Sequence, residues 1–134
     1  MYRACVIVIS DKGYTGEEED IKGKSIVEYL GKNKFDISSY TIVPEVKDIF
    51  KRILSKCCDE YRVELVVVVD SNNLTKEVYG EIDQGISNLR AELNLKDYTN
   101  LDLKVKGETL ILNLESIEDI PIDIVEKLIG QTVI

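Results

Sequence analysis

"VELVVVVD", residues 63–70, holds five consecutive apolar residues, Leu65 to Val69, four of them β-branched, and ends on an acid. A strand with one wet face alternates apolar and polar side chains. An unbroken short run is the mark of a strand covered on both faces, as in the middle of a parallel sheet. "RACVIVI", residues 3–9, has the same character and predicts a second buried strand at the start of the chain. Two such strands so far apart in sequence need crossover connections, which in α/β proteins are helices.

The segments between them supply those helices. From Lys24 the apolar positions Ile26, Val27 and Leu30 recur with helical spacing as far as Gly31, a plausible stop. Residues 46–60 place Val46, Ile49, Phe50, Ile53, Leu54 and Cys57 on one helical face, with lysines and acids opposite. Between these helices "FDISSYTIV", residues 35–43, alternates and is closed by Pro44, which predicts a strand nearer the sheet edge. Beyond the central run, a third helix is expected through residues 75–93, weakened by Gly80 and Gly85. "LDLKVKGETLILNL", residues 101–114, reads as two extended pieces joined at Lys106-Gly107, and "PIDIVEKLIG", residues 121–130, as a last helix. The order β-α-β-α-β-α-β-β-α predicts an α/β protein: one domain over residues 1–134, built as a three-layer α/β/α sandwich on a mainly parallel sheet.

Composition removes several functions. The net charge of −8 repels phosphate backbones and anionic lipids, so neither nucleic acid nor a membrane surface is an expected partner. No apolar stretch has the length of a membrane span or a secretion signal, and a cytoplasmic protein is expected. The chain has no histidine, which excludes imidazole acid/base chemistry and histidine triads. Cys5, Cys57 and Cys58 have no CxxC spacing; a zinc site is not expected, and the three read as buried thiols.

Ligands of open parallel sheets sit beyond the carboxyl ends of the strands, where neighbouring loops diverge. Two segments leave the most hydrophobic strands there, Ser10 to Lys22 and Asp70 to Lys76, both rich in Ser, Asp, Asn and Gly. The second has the length of an ordinary turn, with Ser71, Asn72 or Asn73 available to cap a helix. The first, "SDKGYTGEEEDIK", is longer than such a turn needs and reads as a binding loop, with Glu17 to Asp20 as its solvated acidic face. A purely local role for Asp11 and Asp20, bonding their own backbone, is the competing reading.

"VISDKGYTGEEEDIKGKSIVEYL" resembles the opening of the MogA/MoaB family of molybdenum cofactor biosynthesis, through Ser10, Asp11, Gly16, Asp20 and Gly23. The likeness continues in "YTIVPEVKDIFKRIL", with Glu45 where the family has Asp, in "VELVVVVDSNNLTKEV", and in "GETLILNL". It implies a molybdopterin-binding-domain-like fold, molybdopterin as ligand, Mg²⁺, and in some members ATP-dependent adenylylation of the pterin's phosphate. By the same resemblance Ser10, Asp11, Asp70, Ser71, Asn72, Asn73 and Asn113 are candidate ligand contacts. Glu45 and Glu77 are candidate catalytic acids able to hold Mg²⁺.

The departures change the expected chemistry. Asp70-Ser71-Asn72-Asn73 stands where the family has Gly-Gly-Thr-Gly, and Glu115-Ser116 follows Asn113-Leu114 where the family has Pro-Gly-Ser-Pro. Glycines let a phosphate approach backbone N–H groups, which asparagine side chains obstruct. Asp70 adds a like charge, costing about 4 kcal/mol at about 4 Å and an effective dielectric near 20. These changes argue against ATP-dependent adenylylation and for a pterin-like or other small polar ligand. Two other classes stay open: a non-catalytic binding or assembly module on the same fold, and a flavodoxin-like nucleotide or phosphate-receiver domain. The receiver needs paired acids after the first strand, and here Asp11 is followed by Lys12. The resemblance also implies a homo-oligomer, with a trimer favoured. Light scattering is expected to return a trimer, and a strict monomer at high concentration would contradict it.

Overall fold

A computed structural model describes residues 2–70, 74, 75, 78, 102–114, 125, 126 and 129. Its elements run β1 (Arg3–Ile9), α1 (Asp11–Thr15), α2 (Ile21–Lys32), β2 (Asp36–Val43), α3 (Lys47–Ser55), a five-residue π turn (Lys56–Glu60), β3 (Leu65–Asp70), β4 (Asp102–Lys106) and β5 (Thr109–Leu114). The described strands form one sheet in the order β2-β1-β3-β5-β4. All neighbours are parallel except β4 and β5. The valine run is thus the central strand, paired to β1 on one side and β5 on the other.

Alternation along that strand feeds two cores. Leu65, Val67 and Val69 pack with Ile26 and Leu30 of α2 and with the helical residues Val125 and Ile129. Val66 and Val68 point the other way, to Phe50 and Leu54 of α3 and to Val78. With helices against both faces of a mainly parallel sheet, the three-layer α/β/α architecture is confirmed. Among the described residues no helix is long and apolar enough to cross a membrane.

Several boundaries differ from the sequence expectation. Ser10 to Lys22 is not one long loop: Ser10 caps a short helix, Asp11–Thr15, and Asp20 caps the next, which starts at Ile21 and not Lys24. Pattern reading misses α1 because none of its side chains is buried. Gly31 does not end α2, which runs on to Lys32 and closes through Asn33, with Lys34 at a positive φ of 67°. The helix expected over residues 46–60 is regular only to Ser55, and the π turn then carries Cys57 and Cys58 into the core.

Strand β2 holds another correction. Its register to β1 shifts between Ala4 and Cys5, pairing Ile37 with Ala4 but Ser39 with Cys5, so Ser38 is an extra residue. Such a bulge reverses the faces beyond it. Ile37, Tyr40 and Ile42 therefore pack on the α2 side, while Val43 packs on the α3 side, in place of an unbroken alternation from Phe35 to Val43. The expected hairpin is present, with Gly107 at φ 62° in a two-residue turn between the paired Lys106 and Thr109. The helix expected through residues 75–93, including Gly80 and Gly85, and most of that expected over 121–130 lie outside the described residues.

One contact sets how closely α2 approaches β1. A Cβ built on Gly23 would lie 2.0 Å from Asp20 Oδ2 and 2.6 Å from Val8 Cγ2. In a helix Gly→Ala normally stabilises by about 0.5–1 kcal/mol. Here Gly23→Ala is expected to destabilise by about 1–3 kcal/mol through overpacking, measured by urea unfolding. A stabilised variant would show that α2 can shift freely on the sheet.

Candidate functional site

The strand order places a topological switch point between β1 and β3. The chain leaves β1 for β2 on one side through α2, then returns past β1 to β3 on the other through α3, so the segments following β1 and β3 diverge. A cavity of about 260 Å³ opens there, lined by Ser10, Gly13, Glu18, Asp20 and Lys22 and floored by Val8 and Val69. Val8 and Val69 belong to the α2-side core, so the cavity lies on that face of the sheet.

Its wall is built from two capped helix starts. Ser10 donates its N–H to Val43 O at 2.9 Å, extending the β1–β2 ladder by one rung, and its Oγ accepts from Gly13 N at 3.0 Å. Asp11 Oδ1 accepts from Glu45 N at 2.8 Å, which ties the end of β1 to the β2–α3 connection. Asp20 Oδ1 accepts from Gly23 N at 2.9 Å, and its Oδ2 accepts from the Tyr40 hydroxyl. Burial first, then this carboxylate, push the Tyr40 phenol above the usual tyrosine range. Asp20 thus bonds the start of its own helix, as the local reading has it, whereas Asp11 bonds the backbone of the distant Glu45.

The acidic face is solvated as expected up to Glu19. Glu18 pairs with Lys12 at 3.6 Å and Glu19 with Lys24 at 3.0 Å, both exposed and worth little. Asp20 departs from that reading, because it is partly buried and structural.

Asp70 and Asn113 form a second group, on the opposite face. Asp70 is 8% exposed, and its Oδ2 accepts from both Thr75 N and Thr75 Oγ1 at 2.9 Å. Thr75 Oγ1 in turn accepts from Asn113 Nδ2 at 2.8 Å. Asp70 thus anchors the segment after β3 to its own strand end, and Asn113 buttresses it from β5. Thr75 was not singled out by sequence; an acid followed five residues later by threonine at a helix start is the signal that would have found it. Ser71, Asn72, Asn73 and Glu77 lie outside the described residues. Among the described residues no group of three or more acids or thiols is arranged to hold a metal ion.

Of the predicted site residues, then, Ser10 lines the cavity, Asp11 and the Glu45 backbone meet beside it, and Asp70 and Asn113 meet through Thr75 on the other face. Thr75→Val keeps the Thr75 N–H and the side-chain volume but leaves the buried Asp70 and the partly buried Asn113 one partner short. It is expected to lower stability by about 1–3 kcal/mol in urea unfolding. No loss would mean that the Thr75 hydroxyl is dispensable to the strand end.

No protein-family profile matches the chain. It is 29% identical over 126 residues to the molybdopterin adenylyltransferase of Helicobacter pylori strain J99, an alignment spanning 81% of this chain and 71% of that protein. The molybdopterin biosynthesis enzyme MoaB of Thermus thermophilus superposes with a TM-score of 0.72 at 21% identity, over 97% of this chain and 98% of that one. The molybdopterin biosynthesis Mog protein of Mycobacterium ulcerans gives 0.73 at 21% identity, over 98% and 99%. At such identities the superpositions establish the fold. The H. pylori alignment and the motif running from Ser10 through Asp20 to Gly23 add a sequence likeness to the MogA/MoaB family on that fold.

Proposed function

We propose that this protein binds a molybdopterin-like pterin phosphate across the carboxyl ends of β1 and β3, within molybdenum cofactor biosynthesis, and that its adenylylation activity is impaired or lost. The observation that carries this reading is Asp70 at the switch point, where the family's loop begins with glycine. Its carboxylate is held by Thr75 as part of the fold, so the charge cannot swing away to admit a phosphate. The cavity wall adds Glu18, Glu19 and Asp20 against a single cation, Lys22, among its described residues.

In this reading Ser10, Asp11, Ser71, Asn72, Asn73 and Asn113 contact or frame the ligand, and Glu45 and Glu77 are the catalytic acids where any activity remains. Mg²⁺ would neutralise phosphate charge. The described acids do not surround a cation by themselves, and Asp11 and Asp70 already serve as hydrogen-bond acceptors for the chain. Transfer of an adenylyl group is a task of positioning and electrostatic stabilisation, in which one lost donor costs about 10²–10³ in rate. A homotrimer in the cytoplasm is the proposed setting.

The test is Mg²⁺- and ATP-dependent adenylylation of molybdopterin, with pterin binding measured in parallel. Wild-type turnover is expected at least about 10²-fold below that of a family member with an intact glycine loop. The informative variant is Ser71→Gly with Asn73→Gly, because Asp70 must stay to hold Thr75. It should bind the pterin phosphate more tightly than wild type. Full wild-type turnover would overturn the impairment, and the absence of pterin binding by both proteins would overturn the ligand assignment in favour of an assembly role.

A further inference from the structure

The end of the sheet opposite the switch point holds a second cavity, of about 330 Å³, lined by Cys58, Asp59, Arg62, Gly107, Glu108 and Thr109. That volume lies within the range of small-molecule sites, about 300–1,000 Å³. Its walls are the π turn, the segment leading into β3 and the β4–β5 hairpin turn, so it sits at the amino ends of β3 and β5. Irregular backbone shapes it: the π turn itself, Gly107 at φ 62° and Arg62 at φ 51°. A residue other than glycine at positive φ is uncommon and persists where its surroundings enforce it. Here Arg3 does so from β1, donating from Nη1 to Tyr61 O at 2.9 Å and from Nη2 to Arg62 O.

The polar groups of this cavity divide into those that the fold uses and those that it leaves over. Lys106 Nζ donates to both Asp59 oxygens, at 2.9 and 3.0 Å, and so neutralises that carboxylate. Thr109 is buried, and its hydroxyl donates to Val63 O at 2.7 Å. Cys58 is buried and supplies a small apolar wall. Arg62 and Glu108 remain. Among the described residues neither side chain has an ion pair or a hydrogen bond, although their charges are opposite and they line one cavity. A guanidinium and a carboxylate that share an opening without touching select a ligand by sign. A simple anion drawn to Arg62 meets the Glu108 charge, and a simple cation drawn to Glu108 meets Arg62, so repulsion offsets attraction in both cases. A molecule that carries both signs meets neither conflict.

We propose that this cavity is a second ligand site, for a small zwitterion of the α-amino-acid class. Arg62 takes the carboxylate through paired N–H donors, the arrangement that suits a planar guanidinium. Glu108 accepts from the ammonium group. A ligand held in this way bridges the hairpin turn and the segment entering β3, and because it binds only the folded chain it raises thermal stability. The site lies at the other end of the strands from the pterin cavity, and the proposal goes beyond the pterin reading and is independent of it.

The test is an NMR titration of the full chain with L-alanine, set beside propionate, which lacks the ammonium, and ethylamine, which lacks the carboxylate. L-Alanine is expected to shift the amide resonances of Arg62, Gly107 and Glu108 saturably and to raise the thermal midpoint. The two single-charge analogues should leave both unchanged at the same concentration. Arg62→Asn removes the guanidinium with a residue that tolerates positive φ, and Glu108→Gln removes the carboxylate charge at constant size. Each is expected to weaken L-alanine binding about 10-fold or more. Shifts that rise linearly without saturating, an equal response to either analogue, or unchanged affinity in Glu108→Gln would overturn the proposal. Glu108 is exposed in a turn, so that variant is decisive even if Arg62→Asn fails to fold.

Discussion

The arrangement depends on burying β3 on both faces at once. Its five apolar side chains have no solvent side, so the chain must supply a helical layer above and another below, and the strand's backbone groups must find β1 and β5 as partners. Each valine removed from water contributes about 1.5–3 kcal/mol, a gain realised only when both layers close. The placement of α2 with Val125 and Ile129 on one face, and α3 with Val78 on the other, follows from that requirement.

The same constraint makes the site. Helices on opposite faces force consecutive crossovers to leave β1 in opposite directions, which opens the switch point and its cavity. It also divides the polar residues there between two faces. Those of the α2 side, Ser10 and Asp20, are capping groups whose geometry depends on how tightly Gly23 seats α2 against Val8. On the α3 side Asp70, Thr75 and Asn113 form a largely buried hydrogen-bonded chain that resists rearrangement, because removal of any member costs its neighbours a partner. Asp70, which stands where the resembled family has a loop glycine, is part of the fold's polar framework.

Irregularity in this protein is concentrated on the α3 side. The extra residue in β2 and the extra turn width at residues 56–60 each disturb a ladder of hydrogen bonds, and each moves a polar or sulfur side chain inward. Cys57 and Cys58 are both drawn into the core where a regular helix would separate them by about a quarter turn. The opposite core, with Ile26, Leu30 and Phe35, holds no cysteine among its described residues.

What the sequence determined by itself is whatever follows from local pattern. The unbroken run Leu65–Val69 required a central strand, the spacing of Phe50 and Leu54 required an amphipathic helix, Gly107 marked the hairpin turn, and the motif from Ser10 to Gly23 pointed to the family. Its acids and serines were legible as a site because they follow strand ends, and strand ends are where such ligands bind. Tertiary structure alone decided which of them work for the fold. Asp70 reads as a free carboxylate until Thr75 and Asn113 are folded onto it, Asp11 reads as local until Glu45 arrives from across the sheet, and nothing in "DISSYTIV" announces the bulge at Ser38. Asn113, Glu45 and the β1 partners of that bulge are remote in sequence, and register and hydrogen bonding between remote segments are set by packing, which no local periodicity encodes.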